Sequence, residues 1–248
     1  MKAKRLVAVL TAVSLMAGLC GMAEPNADQK IKLEQNSTST PALGGKLLYD
    51  GYTLQWADDF NGSELNRDDW NIELHAPGWV NNELQAYVDS PENIYLENGS
   101  LVIKPIEQKN PDGTVSYTSG RVNTQNKHDF KYGIFEARIK VPEGQGFLPA
   151  FWMMPTNENL YGQWPRCGEI DIMEVLGDDT DKSYGTIHYG NPHSESQGSY
   201  QLTAGSFSEE YHNFAVEWEP GRISWYVDGC LIHTCLLYTS PSPRDRSV

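Results

Sequence analysis

Glu169-Ile170-Asp171-Ile172-Met173-Glu174 places three carboxylates in one short, otherwise apolar run. Acids alternate with isoleucines, which is the period of a strand and not of a helix. Side chains along a strand alternate between faces, so Glu169 and Asp171 share one face. Glu174 stands at an odd offset and points away on a regular strand. One extra residue around Ile172-Met173, a β-bulge, returns it to the acidic face. Three acids on one face repel one another and lose hydration, a cost that chemistry uses. A solvated strand face would bring Lys, Thr or Ser among the acids. A metal site is the other rival, but the run holds no histidine, and three carboxylates alone are a weak metal signature.

Two carboxyls held at different pKa values are what cleavage of a glycosidic bond requires. One, ionised, attacks the anomeric carbon or activates water; the other, protonated, donates to the leaving oxygen. A third acid between them disfavours ionisation of its neighbours. Retaining enzymes keep the pair about 5–5.5 Å apart and inverting ones about 6.5–9.5 Å. A bulged strand separates the backbones of Glu169 and Glu174 by about 13 Å. Spacing alone therefore does not choose the stereochemistry.

The run from Trp164 to Glu174 resembles the active-site strand of glycoside hydrolase family 16, and the resemblance extends to both sides. Upstream stand Trp56–Gly62, Asn81–Tyr87, Thr118–Thr124, Tyr132–Arg138 and Pro149–Met153; downstream stand Gly185–His188 and Trp225–Gly229. The blocks keep the family's order from Tyr52 to Ile232. The resemblance implies an all-β fold, a β-jelly-roll sandwich of the concanavalin A-like lectin/glucanase kind, with retention of configuration. It also implies Glu169 as nucleophile, Glu174 as acid/base and Asp171 as the group tuning their protonation. The extra Met173, Gly168 and the Ile-Met pair are most similar to laminarinases, which cut β-1,3-glucan; mixed-linkage glucan, agarose-type galactan and a non-catalytic lectin stay open. Leu148 departs from the tryptophan many laminarinases carry, which bears on sugar stacking. By the same resemblance Asn82 and Arg121 touch sugar hydroxyls, His188 is a cleft histidine, and Asp59 and Gly99 mark the region of a structural calcium. Catalysis of this kind needs no cofactor and no metal.

Length and charge agree with one such domain. The chain has 248 residues and a formal net charge of -14, which argues against nucleic-acid or anionic-membrane partners. The expected partner is a β-glucan polysaccharide, bound by a monomer. Lys2, Lys4 and Arg5 precede an apolar stretch, Leu6–Leu19, and the small residues Gly21 and Ala23. This pattern predicts an export signal over residues 1–23, too short for a membrane span. Secretion is one outcome; lipid anchorage through Cys20 is the alternative. Residues 24–48 read as a polar linker and 49–234 as the catalytic sandwich. Residues 235–248, beginning Cys235-Leu236-Leu237-Tyr238, resemble a translated sequencing adapter, so the reading also expects C-terminal strands to be missing.

Short strands are expected at Leu101–Ile103, Gly133–Ile139, Phe214–Trp218 and Ile223–Val227, with a hairpin turn at Glu219-Pro220-Gly221-Arg222. Trp164, just before the acidic strand, is the first candidate sugar platform, because sugars stack their apolar faces on aromatic rings. Trp79, in a loop, reads as platform or core, as does Trp225. Trp152 and Trp218 lie in apolar patterns and read as core. Cys167 reads as a buried free thiol sharing the face of Glu169.

Overall fold

The computed structural model describes residues 5–10 and 51–237. Cys20, most of the export-signal stretch, the 24–48 linker and residues 238–248 lie outside the described residues. In chain order the first strands are β1 (Arg5–Leu10), β2 (Tyr52–Asp58), β3 (Asn71–Ile72), β4 (Gln85–Tyr87), β5 (Ile94–Glu97) and β6 (Ser100–Ile103). Then come β7 (Ile106–Lys109), β8 (Val115–Ser119), β9 (Val122–Asn123), β10 (Gly133–Ile139) and β11 (Ala150–Met153). A single helical turn, α1 (Glu158–Tyr161), precedes β12 (Glu169–Val175) and β13 (Lys182–Tyr189). The last strands are β14 (Ser194–Gln201), β15 (His212–Glu219), β16 (Arg222–Val227) and β17 (Cys230–Leu236). All four strands expected from sequence are present, and Glu219 pairs with Arg222 across the two-residue turn between β15 and β16.

The described residues divide into two units, residues 5–10 and 51–57 with 130–237, and residues 58–129. The first is a β-jelly-roll sandwich. Its six-stranded sheet runs β17-β16-β15-β10-β1-β2 and its four-stranded sheet β11-β12-β13-β14. The sheets enclose one apolar cluster in which Phe207, Phe214, Val216, Ile223, Trp225 and Val175 are fully buried. Burial of this kind is the main favourable term in folding. Strand β1, the described part of the export-signal stretch, pairs parallel with β10 in the uncleaved chain and would leave the sheet with a cleaved signal, whereas β10 and β15 are antiparallel. Strand β17 continues through Leu236, and Cys235 belongs to the buried cluster. Among the described residues no helix is long and apolar enough to cross a membrane.

The second unit is built from small sheets: β3 with β9, β4-β8-β7, and β5 with β6.

Two expectations from sequence need correction. Trp152 lies opposite Asp171 in the β11–β12 ladder, so it stands on the acidic face, while its neighbours Phe151 and Met153 pack on the core. Cys167 is a free thiol, but it is half-buried, not buried. Trp218 does pack on the core, and Trp225, left open above, is wholly inside it. Cys230 is disulfide-bonded.

Candidate active site

Strand β12 explains how an acidic run survives inside a sandwich. Ile170, Ile172, Met173 and Val175 are buried in the core cluster, and the carboxylates take the other face. Gly168, at a φ of 87°, supplies the left-handed turn that leads into the strand. The ladder with β13 pairs Asp171 with Thr186 and Glu174 with Tyr184, so three steps on β12 meet two on β13. The same irregularity appears against β11. The extra residue makes neighbours Ile172 and Met173 both face inward, each 1% exposed, and sets Glu174 back among the acids. The bulge expected from residue counting is present where it was expected.

A bulge frees backbone groups from the ladder. Here the indole N–H of Trp225, from the opposite sheet, donates to the carbonyl of Asp171 at 2.7 Å. Gly185 makes room for that indole, since a Cβ there would lie 2.4 Å from Trp225 Cδ1. Trp225→Phe is therefore expected to cost about 1–3 kcal/mol by leaving a buried carbonyl unpaired. Urea unfolding measures this, and an unchanged midpoint and slope would refute it.

On the outer face Glu169 and Glu174 are half-buried and Asp171, between them, is 3% exposed. The indole N–H of Trp164 donates to Glu169 Oε2, and the Trp164 ring is 49% exposed. His188 pairs with Glu169 across the β12–β13 ladder and sets its Nε2 3.3 Å from Asp171 Oδ2. Burial raises the Glu174 pKa above the usual carboxylate range, and the charges of Glu169 and Glu195 add to it. The Asp171 carboxyl is pushed up to about 8 by burial first, then by the charges of Glu169 and Glu174 and a hydrogen bond with Glu169. Asp171 thus holds its proton at neutral pH.

The Asp171 shift carries a consequence for stability. The folded chain binds this proton up to about pH 8, against 3.8 for an ordinary aspartate. The resulting stabilisation is complete below the ordinary value and is lost as pH rises through the raised one. Asp171→Asn is expected to flatten the decline in Tm between about pH 5 and pH 8. Thermal unfolding across that range checks it; parallel curves for variant and wild type would contradict it.

The remaining sugar-contact candidates, Trp79, Asn82 and Arg121, belong to the second unit. Trp79 is exposed and stacks on His75 with centroids 3.5 Å apart. The Arg121 guanidinium lies 5.0 Å from the Trp79 centroid, and its Nε is 2.9 Å from Glu73 Oε2. The same Glu73 contacts His75 and Asn123, so the cluster is cross-braced. Asn82 is exposed, with a φ of 55°. For calcium, the oxygens nearest a Cβ placed on Gly99 are Asn61 Oδ1 at 3.5 Å and the Asp59 carbonyl at 4.0 Å.

Sequence reasoning missed His193, Glu195, Thr186 and Gln197. His193 Nε2 lies 3.0 Å from His188 Nδ1, and Gln197 donates to Thr186 Oγ1 at 3.0 Å. The β13–β14 register brings them in, and nothing in the sequence sets that register before the hairpin is known.

A jelly-roll sandwich with a bulged strand presenting two half-buried glutamates around a protonated aspartate is an arrangement suited to acid–base and nucleophilic work on a glycosidic bond. The family model for Glycosyl hydrolases family 16 matches residues 76–242. The chain is 36% identical to the glucan endo-1,3-beta-glucosidase A1 of Niallia circulans, over 83% of this chain and 32% of that protein. It is 40% identical to the glucan endo-1,3-beta-glucosidase of Cryptopygus antarcticus, over 74% of this chain and 69% of that protein. The crystal structure of the laminarinase catalytic domain from Thermotoga maritima MSB8 superposes with a TM-score of 0.63 at 41% identity, covering 72% of this chain and 74% of that one. The chain belongs to glycosyl hydrolase family 16. It spans about a third of the length of the first of these relatives.

Proposed function

We propose that the protein is a secreted, monomeric, retaining endo-β-1,3-glucanase that cleaves laminarin-type glucans by double displacement. One observation carries this reading: the bulge puts Glu169 and Glu174 on the same outer face of β12 with a raised pKa on Glu174. Glu169 attacks the anomeric carbon while its Oε2 accepts the Trp164 N–H. Glu174, kept protonated by burial and by neighbouring charge, donates to the leaving oxygen. It then takes a proton from water, and that water frees the glycosyl group from Glu169. Asp171 holds its own proton between them, which limits the negative charge facing Glu169 at neutral pH. The exposed face of Trp164 serves as a sugar platform, and Trp79, Asn82 and Arg121 are further sugar contacts. No cofactor takes part. The Leu6-to-Ala23 export pattern supports secretion, which suits a polymer substrate.

The test digests laminarin, lichenan and agarose, sizes the products, and follows the anomeric configuration of the first product by proton NMR. Fast conversion of laminarin to oligosaccharides with β configuration is the expected result. Preference for lichenan or agarose would move the specificity, and binding of laminarin without new reducing ends would make the protein a lectin.

A further inference from the structure

We propose that His188, His193 and Glu195 form a site for a divalent transition-metal ion of the zinc type beside the acidic strand. All three come from the β13–β14 hairpin. His188 and Glu195 are direct cross-strand partners, so their side chains rise from one face, and the turn between the strands brings His193 to them. One ligand atom from each residue lies within 4.8 Å of the other two. His188 Nδ1 is 3.0 Å from His193 Nε2 and 3.4 Å from Glu195 Oε2. A tetrahedral zinc ion with bonds of about 2.0–2.1 Å sets its ligand atoms about 3.3–3.4 Å apart. Two edges of the ligand triangle therefore already have nearly that length.

A second observation concerns what stands behind His188. Its Nε2 edge faces the buried carboxyl of Asp171 at 3.3 Å. A carboxyl on the far nitrogen fixes the ring orientation of metal-binding histidines and turns the near nitrogen toward the ion. The Nδ1 lone pair then faces the Glu195 carboxylate, a contact between two acceptors that a cation relieves. Without metal, the hydrogen bond between the two imidazoles holds the nitrogens together; it is given up when an ion enters, and the His193 proton moves from Nε2 to Nδ1 of the same ring. His193 and Glu195 are exposed, so an ion reaches the site and a coordination position stays open to water. Two imidazoles and one carboxylate suit zinc, nickel or copper better than magnesium or calcium.

The Trp164 ring lies 5.1 Å from His193 and 6.0 Å from His188, centroid to centroid, and the same indole donates to Glu169. An ion held there stands where a sugar on Trp164 would approach. Zinc is thus expected to slow glucan hydrolysis, a consequence that rests on the proposed function, whereas binding itself does not.

Calorimetric titration of the full chain with zinc chloride, alongside visible absorption with cobalt chloride, tests the site. The expected result is one ion per chain, weakened about tenfold or more in His193→Ala and again in Glu195→Gln. Circular dichroism verifies that both variants fold. Intense cobalt bands of tetrahedral type should appear in the wild type and fade in both variants. No zinc binding up to millimolar concentration, or unchanged binding in both folded variants, overturns the site. Zinc should also slow laminarin hydrolysis by the wild type, and His193→Ala should need about tenfold more zinc for the same effect. Equal zinc sensitivity in the two proteins overturns the inhibitory consequence. Zinc binding as expected, with no hydrolysis of any glucan, overturns the proposed function and leaves the metal site standing.

Discussion

Deletion of Met173 is expected to destabilise the sandwich by about 2–5 kcal/mol while leaving Glu174 on the outer face and β-1,3-glucan hydrolysis in place. The strand gains its third outward acid only because Ile172 and Met173 both turn inward. Removing Met173 leaves Glu169-Ile170-Asp171-Ile172-Glu174-Val175 in strict alternation, so the three acids stay on the outer face, the isoleucines and Val175 stay in the core, and Glu174 stays opposite Tyr184 without a bulge. What the deletion removes from the core is the Met173 side chain, 1% exposed, and the space it leaves is the cost. Met173→Leu separates register from side chain. It keeps the residue count and nearly the volume, so it is expected to cost less than about 1.5 kcal/mol and to keep hydrolysis within a few-fold of wild type. Reducing-end assays on laminarin and thermal unfolding of both variants check the pair. If the folded deletion variant no longer hydrolyses laminarin, regular alternation does not keep Glu174 outward and this account of the bulge is wrong.

That the bulge could be read before any coordinates were known follows from its simplicity. Three acids, a period of two and one surplus residue leave few arrangements, and the apolar residues between the acids say which face is buried. The strands with polar turns at their ends were legible for the same reason. Trp152 was not. Ala150-Phe151-Trp152-Met153 is apolar throughout, so alternation carries no sign of which side faces the core, and only the pairing with Asp171 decides it. Trp225 was left open because its decisive contact, to the Asp171 carbonyl, crosses from one sheet to the other over 54 residues of sequence. Contacts of that range depend on how the sheets stack, and local pattern is silent on that. His193 and Glu195 were passed over because a polar turn and an exposed strand look like ordinary surface until the β13–β14 register is known.

Glu174→Ala is expected to lower turnover on laminarin by about 10²–10⁴-fold, the usual worth of a positioned general acid and base. The loss should depend on the leaving group. A glucan oxygen needs the proton, whereas an activated aryl glycoside leaves without it, so the variant should still form the glycosyl-enzyme on Glu169 from the aryl substrate. Release then stalls, because water has no base to deprotonate it. Azide is already an anion and needs none, so added azide should restore turnover and yield a glycosyl azide of the substrate's own β configuration. Glu169→Ala is expected to behave differently. With no carboxylate to attack the anomeric carbon it forms no covalent intermediate, and any azide product should carry the inverted α configuration, formed in the space the carboxylate has left. Product NMR distinguishes the two. Near-normal laminarin turnover by Glu174→Ala, or a β-azide from Glu169→Ala, would refute the roles given to these two residues. Trp164 bears on the same assignment, since its indole N–H is directed at Glu169. A donor there orients the carboxylate that attacks, while Glu174 has its pKa raised by burial and by two neighbouring charges. The two ends of β12 thus differ in their surroundings, Glu169 held by an indole N–H and Glu174 biased toward the acid form by burial and charge, and reaction at one bond uses both.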